Sequence, residues 1–365
     1  MGDTLLISTK KGLFAFDRGP SGWQPGRTAF LGENVGLALR DARDGGWYAA
    51  LNLGHFGTKL KYSPDRGQTW EERSSPVYPE GETFASFDGK PPSPATMKGF
   101  WALECQGSKQ PGTLWAGTAP GGLFRSDDGG KTWELVRGLW DRAERTKWFG
   151  GGTEIPTLHS ICVDPRDAKT VRIAVSCGGV ATTTDGGATW RSTADGMFAE
   201  YMPPELRGDP DVQDPHHMVQ CPGDPDHLWV QHHNGVFKTA DGGRKWEHVA
   251  DVKPSGFGFG VAVHPRDPRT AWFVPAVKDE KRVPVDGKLV VTRTRDGGKT
   301  FEALSRGLPA PSYDLVYRHA LDVDDTGDRL AIGSTTGGLW LSEDQGDRWQ
   351  ALSVHLPPIH AVRFC

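Results

Sequence analysis

An all-β chain of seven four-stranded antiparallel blades, a β-propeller, is predicted by three observations. A turn phrase returns along nearly the whole sequence, each repeat carries further strand-like runs, and the composition suits short strands joined by many turns. The 365 residues include 48 Gly, 27 Pro and 14 Trp, a profile of tight turns and large aromatic anchors rather than of helices. Closed all-β folds often reach this length as one unit, so a single domain over residues 1–365 is expected.

The phrase occurs as Ser63-x-Asp65-x-Gly67-x-Thr69-Trp70 and Ser126-x-Asp128-x-Gly130-x-Thr132-Trp133. It returns as Thr183-x-Asp185-x-Gly187-x-Thr189-Trp190 and Thr239-x-Asp241-x-Gly243-x-Lys245-Trp246. The last two copies are Thr294-x-Asp296-x-Gly298-x-Thr300-Phe301 and Ser342-x-Asp344-x-Gly346-x-Arg348-Trp349. A worn copy at the start keeps the spacing from Gly12-Leu13-Phe14 to Trp23 but has Phe16 and Arg18 where the Ser and Asp should stand. Asp-x-Gly is turn chemistry, because the carboxylate accepts backbone N–H bonds and Gly takes the positive φ. The following Trp returns the chain into a strand and supplies a ring to bury. Asp65, Asp128, Asp185, Asp241, Asp296 and Asp344 are therefore read as structural staples, one per hairpin.

This phrase resembles the Asp-box (BNR) repeat of sialidases, sortilin and the photosystem II assembly factors, and the resemblance covers nearly the whole chain. It implies one hairpin staple per blade. Blade by blade, the boundaries are 1–30 plus 358–365, 31–80, 97–140, 155–200, 214–252, 255–310 and 313–355. The fourth shows the pattern most plainly: His159–Val163, Val171–Val175, Val180–Thr183 entering the box, and a strand after Trp190. The N-terminus supplies three strands of its blade, and His360–Phe364 supplies the missing one, which closes the ring and removes exposed sheet edges.

Composition also excludes classes of function. The net charge is −4 with no run of one sign, so the basic footprint of a nucleic-acid binder is missing. No apolar run approaches the roughly 20 residues of a membrane span. The start, Asp3 to Ile7, runs directly into a strand-like segment without the features of a secretory signal. Five cysteines without Cys-x-x-Cys spacing read as reduced thiols, and the cytoplasm is the expected location.

In an antiparallel meander the Asp boxes share one face, and the connections between second and third strands and between blades share the other. Three interblade connections, 71–99, 134–157 and 191–215, are long, and long loops on one face usually build or cover a site. They carry Tyr78, Phe84, Phe87, Trp140, Trp148, Gly150, Gly151, Gly152 and Tyr201. Eight of the twelve histidines collect on this face, so a His-rich polar funnel that takes a small-molecule ligand is expected there. His159, His216, His319 and His360 fall at first-strand starts, where neutral imidazoles could ligate a divalent metal as cofactor; His217 is the alternative to His216. The polar set around the ligand comprises His55, Trp148, Glu154, Asp214, His217, His232, His233 and Arg318. Glu104 lies in a first strand where other blades have Cys162, Val219 or Ala262. A carboxylate there must be paired or solvated, so Glu104 and His159 are the catalytic candidates.

Three functional classes remain. One is a small-molecule binder or hydrolase-like enzyme, metal-dependent if the histidines hold an ion. Another is a glycosidase using a carboxylate pair, Glu104 with Glu154 or Asp214. The third is a non-catalytic propeller that binds a protein partner or assembly intermediate, as the resemblance to photosystem II factors implies. Exo-sialidase activity is not expected: the Arg-Ile-Pro segment and arginine triad that the sialidases carry are not found around Arg18, Arg27 or Arg40.

Overall fold

The computed structural model describes residues 2–84, 91–107, 112–151 and 153–365. Among them, strands form seven four-stranded sheets and one two-stranded sheet. Six of the seven run in simple meander order, and the seventh joins Gly22–Ala29, Gly12–Gly19, Thr4–Thr9 and Ile359–Phe364. The fold is a seven-bladed β-propeller. Closure is antiparallel, with Leu5 opposite Phe364 and Ile7 opposite Val362, so the C-terminal strand occupies the edge that the first blade leaves open. No helix of the described residues is long and apolar enough to cross a membrane.

Contacts group the residues into two compact units. The first comprises Met1–Leu39, Val219–Ala240 and Glu247–Cys365. Its core gathers Trp229, Val249, Val261 and Phe273 in one cluster and Trp272, Leu289, Leu321 and Trp340 in another. The second comprises Arg40–Met218 and Asp241–Trp246. Its core holds Trp115, Leu139, Trp148, Leu158, Ile173 and Val175. Period-2 alternation explains these clusters only in part: second strands such as Leu114–Ala119 and Val171–Val175 are buried at every position, because both of their faces are covered.

The boxes are hydrogen-bonded turns. Asp185 Oδ1 accepts from the Thr189 amide at 2.9 Å and the Thr183 hydroxyl at 2.7 Å, while Oδ2 accepts from the Thr189 hydroxyl at 2.6 Å. Thr183 in turn accepts the Gly187 amide at 3.0 Å. The turn at Asp128 repeats this pattern. At Asp241 and Asp344 the threonine is replaced by Lys245 and Arg348, which have no hydroxyl to give, though their amides still donate to the carboxylate at 3.1 and 2.9 Å. Gly187 has φ 100°, and a Cβ there would lie 3.4 Å from the Trp115 ring. The glycine thus serves the turn and also lets one blade's box pack on the preceding blade. The worn first copy needs no box, since its hairpin closes directly with Gly19 opposite Gly22 and Arg18 pairs with Glu343 at 2.8 Å.

These bonds favour the ionised carboxylates. The amide and then the hydroxyl of Thr69 hold Asp65 at about 2. Burial works to raise Asp128, but the amide and hydroxyl of Thr132 outweigh it and bring Asp128 to about 2 as well. Both values lie below the ordinary unfolded value of about 3.9. The stabilisation is therefore complete above that pH and lost as pH falls through the folded value. Asp128→Ala is expected to lower the melting temperature by a few degrees at neutral pH, with the deficit shrinking progressively below about pH 4. Thermal melts of both proteins across pH 2 to 7 check this; a constant deficit would remove the carboxylate's charge from the account.

Candidate functional site

In the second unit the three long connections are tied into the blades by specific bonds. The Tyr78 hydroxyl, buried, contacts the Thr118 hydroxyl at 2.6 Å and accepts the Gly122 amide at 3.1 Å; burial pushes its phenol up. Glu82 accepts from Arg137 at 2.6 Å and from the Trp140 indole at 2.5 Å, and Arg145 lies 3.7 Å over the Trp140 ring. Lys147 pairs with Asp209 at 2.7 Å, and Arg142 reaches Asp211 at 3.7 Å. Burial raises the Asp211 carboxyl despite Ser192, Arg142 and Lys147, which work the other way. Phe87 and Gly152, expected in the aromatic, glycine-rich rim, lie outside the described residues.

The last of these connections delivers Asp214 to the start of strand Pro215–Gln220. The Gln213 side-chain amide donates to the carbonyls of Arg207 and Asp209 at 2.9 and 2.8 Å, folding the loop on itself. Its main-chain carbonyl accepts the Gly179 amide at 2.9 Å, fastening the loop to a third strand. Asp214 is nearly buried. Its Oδ1 accepts the Cys177 amide at 3.2 Å, and its Oδ2 lies 3.5 Å from His216 Nε2. Cys177 has φ 48°, a left-handed conformation rarely held by a non-glycine residue. It aims that amide at the carboxylate. A Cβ on Gly151 would sit 2.8 Å from Cys177 Sγ and 2.9 Å from Asp214 Oδ1, so no side chain fits over the pair. Tyr201 borders it: its hydroxyl donates to the Val212 carbonyl at 2.8 Å, and burial, then Cys177 and Asp214, push its phenol up.

His159 is fully buried and shares a 2.8 Å bond between Nδ1 and the Ser160 hydroxyl. That hydroxyl accepts the Met218 amide at 3.0 Å, which couples strand Leu158–Val163 to strand Pro215–Gln220. His217 is buried in the same strand. Glu104 is half-buried on Gly99–Cys105, opposite Trp115. Glu154 is exposed, whereas Trp148 is buried with its ring against Gly121 and Gly178. His55 is exposed, with its ring tilted against that of Phe56 at 3.9 Å.

The first unit places its own candidates. His232 is buried, with Nδ1 accepting the Asn234 amide at 3.0 Å, and His233 meets the Phe257 ring edge-on at 5.9 Å. His319 lies in the turn before Leu321–Val323, and its carbonyl accepts the Val362 amide at 2.9 Å. His360 Nε2 bonds Asn34 Oδ1 at 3.0 Å; burial, then Lys10, lowers its pKa. Arg318 lies 5.6 Å over Phe259. Asp214 and His216 are thus in direct contact, while His159, His360 and His232 each bond a neighbouring hydroxyl or amide group. Cys177, Gly151 and Gln213 form part of the arrangement that strand patterns alone do not single out. The signals in the sequence are the glycine runs Gly150–Gly152 and Cys177-Gly178-Gly179.

The model of the BNR/Asp-box repeat family matches residues 124–135. The probable oligoxyloglucan-reducing end-specific xyloglucanase of Neosartorya fischeri is 25% identical over 283 residues, covering 70% of this chain and 32% of its own length. The chain therefore spans less than a third of that relative. Among solved structures, an ancestral GH74 enzyme aligns with a TM-score of 0.61 at 17% identity, over 87% of this chain and 38% of its own. YCF48 bound to D1 peptide aligns with a TM-score of 0.57 at 15% identity, over 93% of this chain and 89% of its own. At these identities the structural likeness speaks to the fold alone. Repeated turns and sheet order agree: the chain is a seven-bladed β-propeller, and one of its repeated turns, within residues 124–135, matches the Asp-box (BNR) repeat.

Proposed function

We propose that this propeller binds a small polar ligand at Asp214 and His216 and acts on it as a hydrolase. The observation that carries the reading is the buried carboxylate–imidazole contact of 3.5 Å, with Asp214 fixed by the Cys177 amide. A fixed carboxylate orients an imidazole and stabilises its protonated form, so the pair can take a proton from water and return it to a leaving group. Such contacts are often long before substrate arrives. The Gly151 backbone packs close against Cys177 and Asp214, holding both in place.

A glycosidic substrate is the second reading, favoured by the similarity to a xyloglucanase over 70% of the chain. Asp214 would then act with a further carboxylate, Glu104 or Glu154. The test is hydrolysis of two probes, xyloglucan oligosaccharides assayed for new reducing ends and aryl esters assayed for released phenol. With the active probe, His216→Gln and Asp214→Asn should each lose at least about 100-fold in kcat/KM while keeping the native circular dichroism spectrum. Glu104→Gln should match that loss only if the substrate is a glycoside. Retained turnover in both pair variants would remove the pair from the chemistry. A wild type inert to both probes would sink the hydrolase reading in favour of a binding propeller. Because a carboxylate and an imidazole are also donors that divalent ions accept, elemental analysis of the wild type and His216→Gln accompanies the assay.

A further inference from the structure

A separate feature of the first unit has the makings of a ligand site of different chemistry. Phe259 lies on strand Gly258–Val263 and is buried, with Phe257 edge-on at 5.5 Å. Two guanidinium groups approach its ring, Arg282 at 5.2 Å and Arg318 at 5.6 Å from the centroid. They come from different connections. Arg282 belongs to the segment after strand Ala271–Pro275, which is folded back by the Val277 amide bonding the Val283 carbonyl at 2.9 Å. Arg318 belongs to the turn before Leu321–Val323, closed by the Ala320 amide on the Tyr317 carbonyl at 3.0 Å. Gly260 permits the approach, since a Cβ there would already lie 3.2 Å from that of Leu321.

Two like charges brought to one ring repel each other, and their separation cannot exceed the sum of the two ring distances. The aromatic face offsets part of that repulsion. Asp279 contributes by pairing with Arg282, Nε to Oδ1 at 3.0 Å, but this pair is formed within its own loop and both side chains are somewhat over a third exposed. Solvent weakens such a pair. Guanidinium groups present planar, paired donors that match carboxylate and phosphate oxygens. We propose that Arg282 and Arg318 form an anion subsite that takes the carboxylate or phosphate group of a small molecule. Phe257, edge-on to the same ring at 5.5 Å, adds apolar surface beside it.

The inference stands apart from the Asp214–His216 reading and is tested without any turnover. Calorimetric titrations at low ionic strength use glucuronate for the carboxylate, glucose 6-phosphate for the phosphate and glucose as the uncharged control. At least one of the two anions should bind saturably and more tightly than glucose, and added salt should weaken it. Arg318→Met should weaken that anion about tenfold or more. Asp279→Asn, which removes the competing carboxylate from a half-buried position, should tighten it severalfold; a merely structural role for the arginines predicts no such gain. The proposal is overturned if neither anion binds, if glucose binds equally well, or if Asp279→Asn brings no gain. Should Arg318→Met fail to fold, the Asp279→Asn result decides alone.

Discussion

Trp115→Ala is expected to lower the free energy of unfolding by about 3–5 kcal/mol. Trp115 sits on strand Leu114–Ala119 with no exposed surface. Its indole N–H donates to Gln106 Oε1 at 2.9 Å, and the Arg125 guanidinium lies 5.4 Å from its ring. Gly187 of the following blade's box approaches its far edge. Truncation therefore opens a cavity between two blades, removes a donor from a buried amide oxygen and undercuts the turn that Asp185 holds. Because Leu139, Leu158 and Ile173 of the same cluster are themselves packed, little can move in to fill the space. Trp115→Phe keeps most of the ring and should cost about 1–2 kcal/mol, largely the lost hydrogen bond. Urea unfolding followed by circular dichroism separates the two. Equal losses would show that the hydrogen bond, rather than the packing between blades, carries the residue's contribution.

Most of the fold was legible because a propeller repeats its chemistry. Each Asp-x-Gly turn needs an acceptor for amides and a residue at positive φ, and both requirements are written in residue type. Closure was legible too: three strands at one end and a lone apolar run, His360–Phe364, at the other leave one way to complete a blade. The site was less so. Strand alternation tells which side of a sheet a histidine leaves from, not what it meets. His159, His216 and His360 occupy comparable strand starts, yet one bonds a serine hydroxyl, one faces a carboxylate and one bonds an asparagine. Asp214 takes its position from a loop held by the Gln213 amide and from a cysteine at φ 48°. Neither leaves a local pattern, since glutamine and cysteine have no sequence preference for those roles. Glu104 differs from Cys162, Val219 and Ala262 in other first strands, though Asp322 matches it in the seventh blade, and such a difference fixes no partner.

Gly179→Ala should connect that loop to both stability and activity. Gly179 opens strand Gly179–Thr183 with φ 74°, and a Cβ there would lie 1.9 Å from the Pro210 carbonyl oxygen. That neighbour is backbone, so no side-chain rotation relieves the overlap. Either the strand or the loop must move, and the Gly179 amide to Gln213 carbonyl bond of 2.9 Å must lengthen. The left-handed conformation and the overlap together should cost about 2–4 kcal/mol. Gly186→Ala is the matched comparison. It has φ 78°, but its nearest atom would be 3.7 Å away on the Arg125 side chain, so only the backbone penalty of about 1–2 kcal/mol applies. The difference between the two in urea unfolding isolates the overlap. Asp214 follows Gln213 directly, so displacement of the loop also draws its carboxylate from the Cys177 amide. Under conditions where both variants remain folded, Gly179→Ala should lose turnover or ligand affinity that depends on Asp214, and Gly186→Ala should keep it. If both lose stability equally and both keep that activity, the contact between strand and loop does not position Asp214, and its orientation must come from His216 and Cys177 alone.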